Sequence, residues 1–96
     1  PTSGLLEVDL HIHELLDSTT GLSNADMLNY QLKRFREVLE ENKRFKGKKI
    51  VFIHGKGEGV LRNAIINELR SKYKSYTYQD ASFREYGFGA TMVTIH

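Results

Sequence analysis

The chain contains no cysteine, which excludes a disulfide framework and any site built on a thiolate and suits a reducing compartment. No apolar run approaches the ~20 residues that a membrane helix requires. Internal repeats and low-complexity segments are absent from its 96 residues, which suffice for one domain with a modest core and not for a second. There is no leading Met and no signal-like segment, so Pro1–Gly4 reads as a linker remnant and the chain as excised from a longer one. These absences predict one domain over residues 1–96, a cytoplasmic setting away from membranes, and other domains of a parent chain among its partners.

What is present is organised around Lys48–Arg62, KKIVFIHGKGEGVLR. Ile50-Val51-Phe52-Ile53 is a short apolar run rich in β-branched residues, the pattern of a strand buried on both faces. It stops at His54. Gly55, Gly57 and Gly59 then alternate with Lys56 and Glu58, and helical spacing begins at Val60. Such a turn brings backbone N–H groups close to an anion, because glycine permits φ > 0 and carries no side chain. It is not a P-loop, since Gly57 stands where Ser or Thr must follow the Lys. Nor is it a dinucleotide fingerprint, since Val60 occupies the third glycine position. On chemistry alone, an anion site and a tight strand–helix connection read it equally well.

Earlier in the chain, Leu6, Val8, Leu10 and Ile12 alternate with Glu7, Asp9, His11 and His13. Period two predicts a strand whose apolar set faces a core and whose four polar residues share the other face. Asp and His are not favoured strand residues, so that face reads as functional. Glu14–Leu22 is expected to be a loop. Ser23 with Asp26 resembles a capping box and opens a long helix to about Arg44, with Leu28, Leu32, Phe35, Val38 and Leu39 as its apolar stripe. Gly47 ends that segment. Leu61, Ala64, Ile65 and Leu69 define a second helix ending near Tyr73. Tyr76–Tyr78 is a short strand, Ser82–Gly89 a loop carrying Phe83, Tyr86 and Phe88, and Ala90–Ile95 the last strand.

Net charge is only +2, but Lys43, Arg44, Lys46, Lys48 and Lys49 crowd the approach to the buried strand. Such a cluster suits a polyanion, and it also complements the carboxyl end of a helix. The order βαβαββ makes the first two strands parallel through a right-handed crossover. Their carboxyl ends then share one sheet edge, which holds Asp9, His11, His54 and Lys56. Ligands of open α/β sheets bind at such ends.

With both stretches in view, the chain resembles the Smr (small MutS-related) domain. Val8-Asp9-Leu10-His11 answers that family's L-D-x-H-G motif, with Ile12 in place of the glycine. His54-Gly55-Lys56-Gly57-Glu58-Gly59-Val60-Leu61-Arg62 answers H-G-K-G-x-G-x-L-R throughout, and Gly89–Val93 is similar to the closing G-x-T-x-V strand. The resemblance implies an α/β two-layer sandwich similar to the C-terminal domain of bacterial translation initiation factor three. Its mixed sheet has order 1-2-4-3, a fourth antiparallel strand and two helices. That order would set the Gly87–Gly89 turn beside the second motif.

The resemblance further implies a DNA- or RNA-binding domain with endonuclease activity. Asp9, His11 and His54 would be the titrating groups of phosphodiester hydrolysis. Gly55, Lys56, Gly57 and Gly59 would hold the phosphate, Arg62 would assist, and Lys48 and Lys49 would extend the footprint. The chemistry agrees, since hydrolysis needs a base, an acid and cations. A module of a larger DNA-repair or RNA-associated protein, binding nucleic acid or protein without turnover, would use the same residues. A tight metal site built from Glu7, Asp9, His11 and His13 is the remaining alternative. His-x-His with carboxylates suits zinc or manganese, but barrel hydrolases of that pattern run to ~250 residues. The residues specify no particular cofactor, and a loosely held catalytic Mg²⁺ is compatible with the site.

Overall fold

The computed structural model describes residues 5–96; the linker reading of Pro1–Gly4 lies outside the described residues. Strand β1 (Leu5–Asp9) is followed by a single helical turn, α1 (Ile12–Leu15), and the long helix α2 (Asn24–Asn42). Strand β2 (Lys49–Ile53), helix α3 (Val60–Lys72), strand β3 (Thr77–Asp80), a second single turn α4 (Phe83–Tyr86) and strand β4 (Ala90–Thr94) complete the chain. The sheet has the expected order β1-β2-β4-β3. β1 lies parallel to β2 from Leu5↔Lys49 to Asp9↔Ile53, and β4 runs antiparallel to both of its neighbours.

The apolar run at Ile50–Phe52 is buried throughout because β2 is central and packed on both faces. One sheet face carries the main core. There Phe52 meets Phe35 of α2 edge to face, with ring centroids 4.6 Å apart, and Ile50 and Val93 join Leu32, Val38, Leu39, Ile65 and Leu69 from the two helices. A parallel pair of hydrogen bonds from Arg36 to Glu68 (2.7 and 3.2 Å) ties α2 to α3. The opposite face carries only a small apolar patch, Val51, Ala81 and Ala90 with Ile53, Tyr86 and Met92.

α2 opens as expected. Ser23 Oγ accepts the Asp26 N–H and Asp26 Oδ2 accepts the Ser23 N–H, both at 3.0 Å. It ends two residues before Arg44, where Asn42 turns its side chain back to the Val38 carbonyl (2.8 Å) and its own carbonyl accepts the Phe45 N–H.

The first strand differs from its expected extent. Alternation holds for Val8 and Leu10, which are buried, but the ladder ends at Asp9. Asp9 Oδ1 accepts the His11 N–H at 2.9 Å, and that local bond turns the chain into α1 instead of continuing the sheet. Ile12 and His13 therefore leave the strand, and Glu14 and Leu15 belong to a helical turn, not to a loop. α4 likewise occupies part of the expected loop at Ser82–Gly89, and β3 begins at Thr77, one residue later than expected.

Candidate active site

The carboxyl ends of β1 and β2 are paired at Asp9↔Ile53, so the segments leaving the two strands emerge side by side. After β1 come Asp9 and His11. His11 Nδ1 lies 2.7 Å from the same Asp9 oxygen that takes the His11 N–H. A carboxylate only accepts, so in the neutral imidazole Nδ1 carries the proton and Nε2 keeps its lone pair. Nε2 rests against the glycine turn, and a Cβ placed on Gly55 would stand 2.7 Å from it. Both side chains are about two-fifths exposed, which leaves them open to a ligand.

After β2 the chain enters the glycine turn. Gly55 (φ +80°) and Gly59 (φ +82°) occupy the left-handed region, which costs other residues ~1–2 kcal/mol. Gly59 is the N-cap of α3. The amides of His54 and Gly55 both donate to the Gly89 carbonyl (2.9 and 3.0 Å). Gly89 suits this close approach, since a Cβ there would lie 3.3 Å from the Gly55 backbone and press on it. The Gly87–Gly89 turn thus clamps the second motif. The amides of Lys56, Gly57 and Glu58 donate to no backbone carbonyl among the described residues and remain available to an anion.

His54 is differently placed. It is only 8% exposed; its Nδ1 donates to the Gly55 carbonyl (2.9 Å) and its Nε2 accepts the Thr91 hydroxyl (2.9 Å). Both ring nitrogens are committed. Burial pushes this imidazole below its ordinary value of 6.5; the Gly55 carbonyl opposes the shift and Arg62 adds to it. The unfolded chain takes up this proton near 6.5, whereas the folded chain resists it to lower pH. The stabilisation is therefore complete above 6.5 and falls as pH drops below it. Thermal melts of the parent should lose more stability between about pH 7 and pH 5 than melts of His54→Gln. An identical fall in the two would contradict the buried neutral imidazole.

Lys56 is exposed, with its Cε 3.8 Å from where a Gly87 side chain would begin. Arg62, in the first turn of α3, donates to Asp80 Oδ1 at 3.2 Å. Lys48 and Lys49 are not brought to this edge. They sit at the start of β2, a five-residue strand or about 16 Å away at 3.3 Å per residue. Lys48 Nζ bonds Asn42 Oδ1 at 2.9 Å and lies over the Phe45 ring.

The four polar residues of the first stretch do not form one face. Glu7 accepts the Tyr86 hydroxyl, His11 belongs to Asp9, and His13 stacks on His11 with centroids 5.5 Å apart. Among the described residues, no three His, Asp or Glu side chains converge to hold a metal ion. Two members of the site had no assigned role in the sequence: Thr91, whose hydroxyl donates to His54 Nε2 once the Gly55 carbonyl has fixed the tautomer, and Gly89. Both lie in the closing G-x-T pattern, the signal that marks them.

The architecture and this edge define a small α/β domain with a basic, glycine-lined site. It is similar to the crystal structure of the Smr domain of Thermus thermophilus MutS2, with a TM-score of 0.70 and 31% identity over 95% of this chain and 98% of that one. Residues 27–96 match the Smr domain family. The chain belongs to that family. It is also 46% identical over 46 residues to Endonuclease MutS2 of Finegoldia magna, and 40% identical over 48 residues to Endonuclease MutS2 of Clostridium kluyveri. Those matches cover 48% and 50% of this chain but only 6% of either relative. Among the described residues, no helix is long and apolar enough to cross a membrane.

Proposed function

We propose that this Smr domain binds a DNA or RNA strand across the carboxyl edge of β1 and β2 and hydrolyses a phosphodiester there. In this reading it acts in the cytoplasm as part of a larger protein. The observation that carries it is the Asp9–His11 pair, whose free Nε2 rests on the glycine turn. His11 Nε2 accepts the proton of the attacking oxygen, and Asp9 stabilises the resulting imidazolium, which then supplies the proton to the leaving oxygen. Lys56 and the free amides of the turn neutralise charge building on the phosphate, with Arg62 behind them. His54 is a positioning residue that holds the turn against Gly89 and Thr91. Lys48 and Lys49 contact the backbone further along the strand.

A binding module without turnover is the second reading. It is favoured by His54, whose committed nitrogens leave one imidazole where separate acid and base groups were expected. Salt dependence tests the binding that both readings share. Log affinity should fall linearly with log salt, by about 0.7–0.9 per phosphate contacted. Lys56→Ala should flatten that slope by roughly one such contact. Binding that is insensitive to salt, or an unchanged slope in the variant, would remove the glycine turn from the footprint.

A further inference from the structure

We infer that Phe83 and Phe88 form a stacking platform for an unpaired base next to the phosphate on the glycine turn, so that the site takes single-stranded in preference to duplex nucleic acid. The inference rests on the nucleic-acid reading above and adds to it the conformation of the substrate.

Phe83 and Phe88 are 63% and 68% exposed, more than any other large apolar side chain among the described residues. Their rings hold one another edge to face, with centroids 4.7 Å apart at 61°. Each ring has apolar surface facing water that the domain does not use, which excludes a core role. Their position relates them to the site. Phe88 lies between Gly87, beside the Lys56 side chain, and Gly89, whose carbonyl holds the His54 and Gly55 amides. The platform is thus fastened to the turn that would hold the phosphate.

Its other end is also fixed. The Gly87 N–H closes α4 onto the Phe83 carbonyl (2.8 Å), the Tyr86 hydroxyl donates to Glu7, and Tyr86 packs on the patch around Val51, Ala81 and Ala90. Tyr86, the third aromatic residue of this loop, is spent on this anchorage. Two exposed rings beside cations and free amides suit a ligand with both a phosphate and a flat apolar face. In a duplex those faces are covered by neighbouring base pairs, so only an unpaired base can reach the rings.

The test compares one short single-stranded oligonucleotide with the same sequence as a duplex, by fluorescence anisotropy at fixed salt. The variant is Phe83→Leu with Phe88→Leu, which keeps apolar bulk and removes the π faces. The parent chain should prefer the single strand. The variant should lose about tenfold or more of that affinity, the usual worth of a stacked base, and bind duplex as before. Parental affinity for the single strand in the variant overturns the platform and leaves the phosphate site standing. So does an equal loss for both forms, which would make the rings general contacts. No binding of either form by the parent overturns the platform together with the nucleic-acid reading.

Discussion

His11→Ala should lower phosphodiester cleavage by about two to four powers of ten, the usual worth of a positioned proton-transfer group. Affinity should change far less, because Lys56, Arg62 and the turn amides still hold the phosphate. Asp9→Asn should fall in the same range. An Asn side chain can present its amide to Nδ1 and invert the tautomer, which takes the lone pair from Nε2. The double variant should be little worse than the poorer single one, since both side chains serve one step. His54→Gln should lose less turnover than either and more stability, because its ring is buried and bonded at both nitrogens. Single-turnover cleavage of one labelled RNA and nicking of one circular DNA check these values. Parental rates in both His11→Ala and Asp9→Asn would leave the binding module as the reading that stands.

Gly55→Ala should also cost turnover heavily. Its methyl would stand 2.7 Å from His11 Nε2, so the imidazole, the free end of a side chain, has to move away. A displacement of ~1 Å at a reacting group is worth about a hundredfold in rate. The φ of +80° at this position adds a stability loss of ~1–2 kcal/mol. Gly47→Ala separates the two effects. It has a φ of +88° and nothing within 4 Å of an added Cβ, and it lies at the opposite end of β2. It should lose similar stability and cleave like the parent. If Gly55→Ala also cleaves like the parent, the contact between His11 and the turn has no part in the chemistry.

Much of this arrangement was legible in the sequence because it rests on local signals. The β-branched run at Ile50–Ile53, the Ser23/Asp26 capping box and the spacing of Leu61, Ile65 and Leu69 each specify an element without tertiary help. The parallel crossover then brings Asp9 and His54 to one edge. The strand expected to continue to His13 was misread because alternation reports which face is apolar, not where the ladder stops. Asp9 ends it by bonding the backbone of His11, a competition that hydropathy does not register.

The surroundings of His54 were hidden for a different reason. Its neighbours in sequence are a glycine turn and a strand, but the partner of its Nε2 is Thr91, which is far along the chain and adjacent only through the pairing of β2 with β4. Position along β2 is what proximity in sequence leaves out for the basic cluster. Lys48 and Lys49 stand at the entrance to β2, and one strand length separates them from the turn at its exit.

That separation allows one direct test of the central claim, that a nucleic-acid strand meets this domain at the glycine turn beside Asp9 and His11. The measurement is an NMR titration of the amide-labelled chain with a short single-stranded oligonucleotide. Shifts should concentrate at Gly55–Val60, at His11 and at Gly87–Gly89, with weaker changes at Lys48 and Lys49. Perturbation confined to Lys43–Lys49, with the turn and His11 unmoved, would contradict that claim.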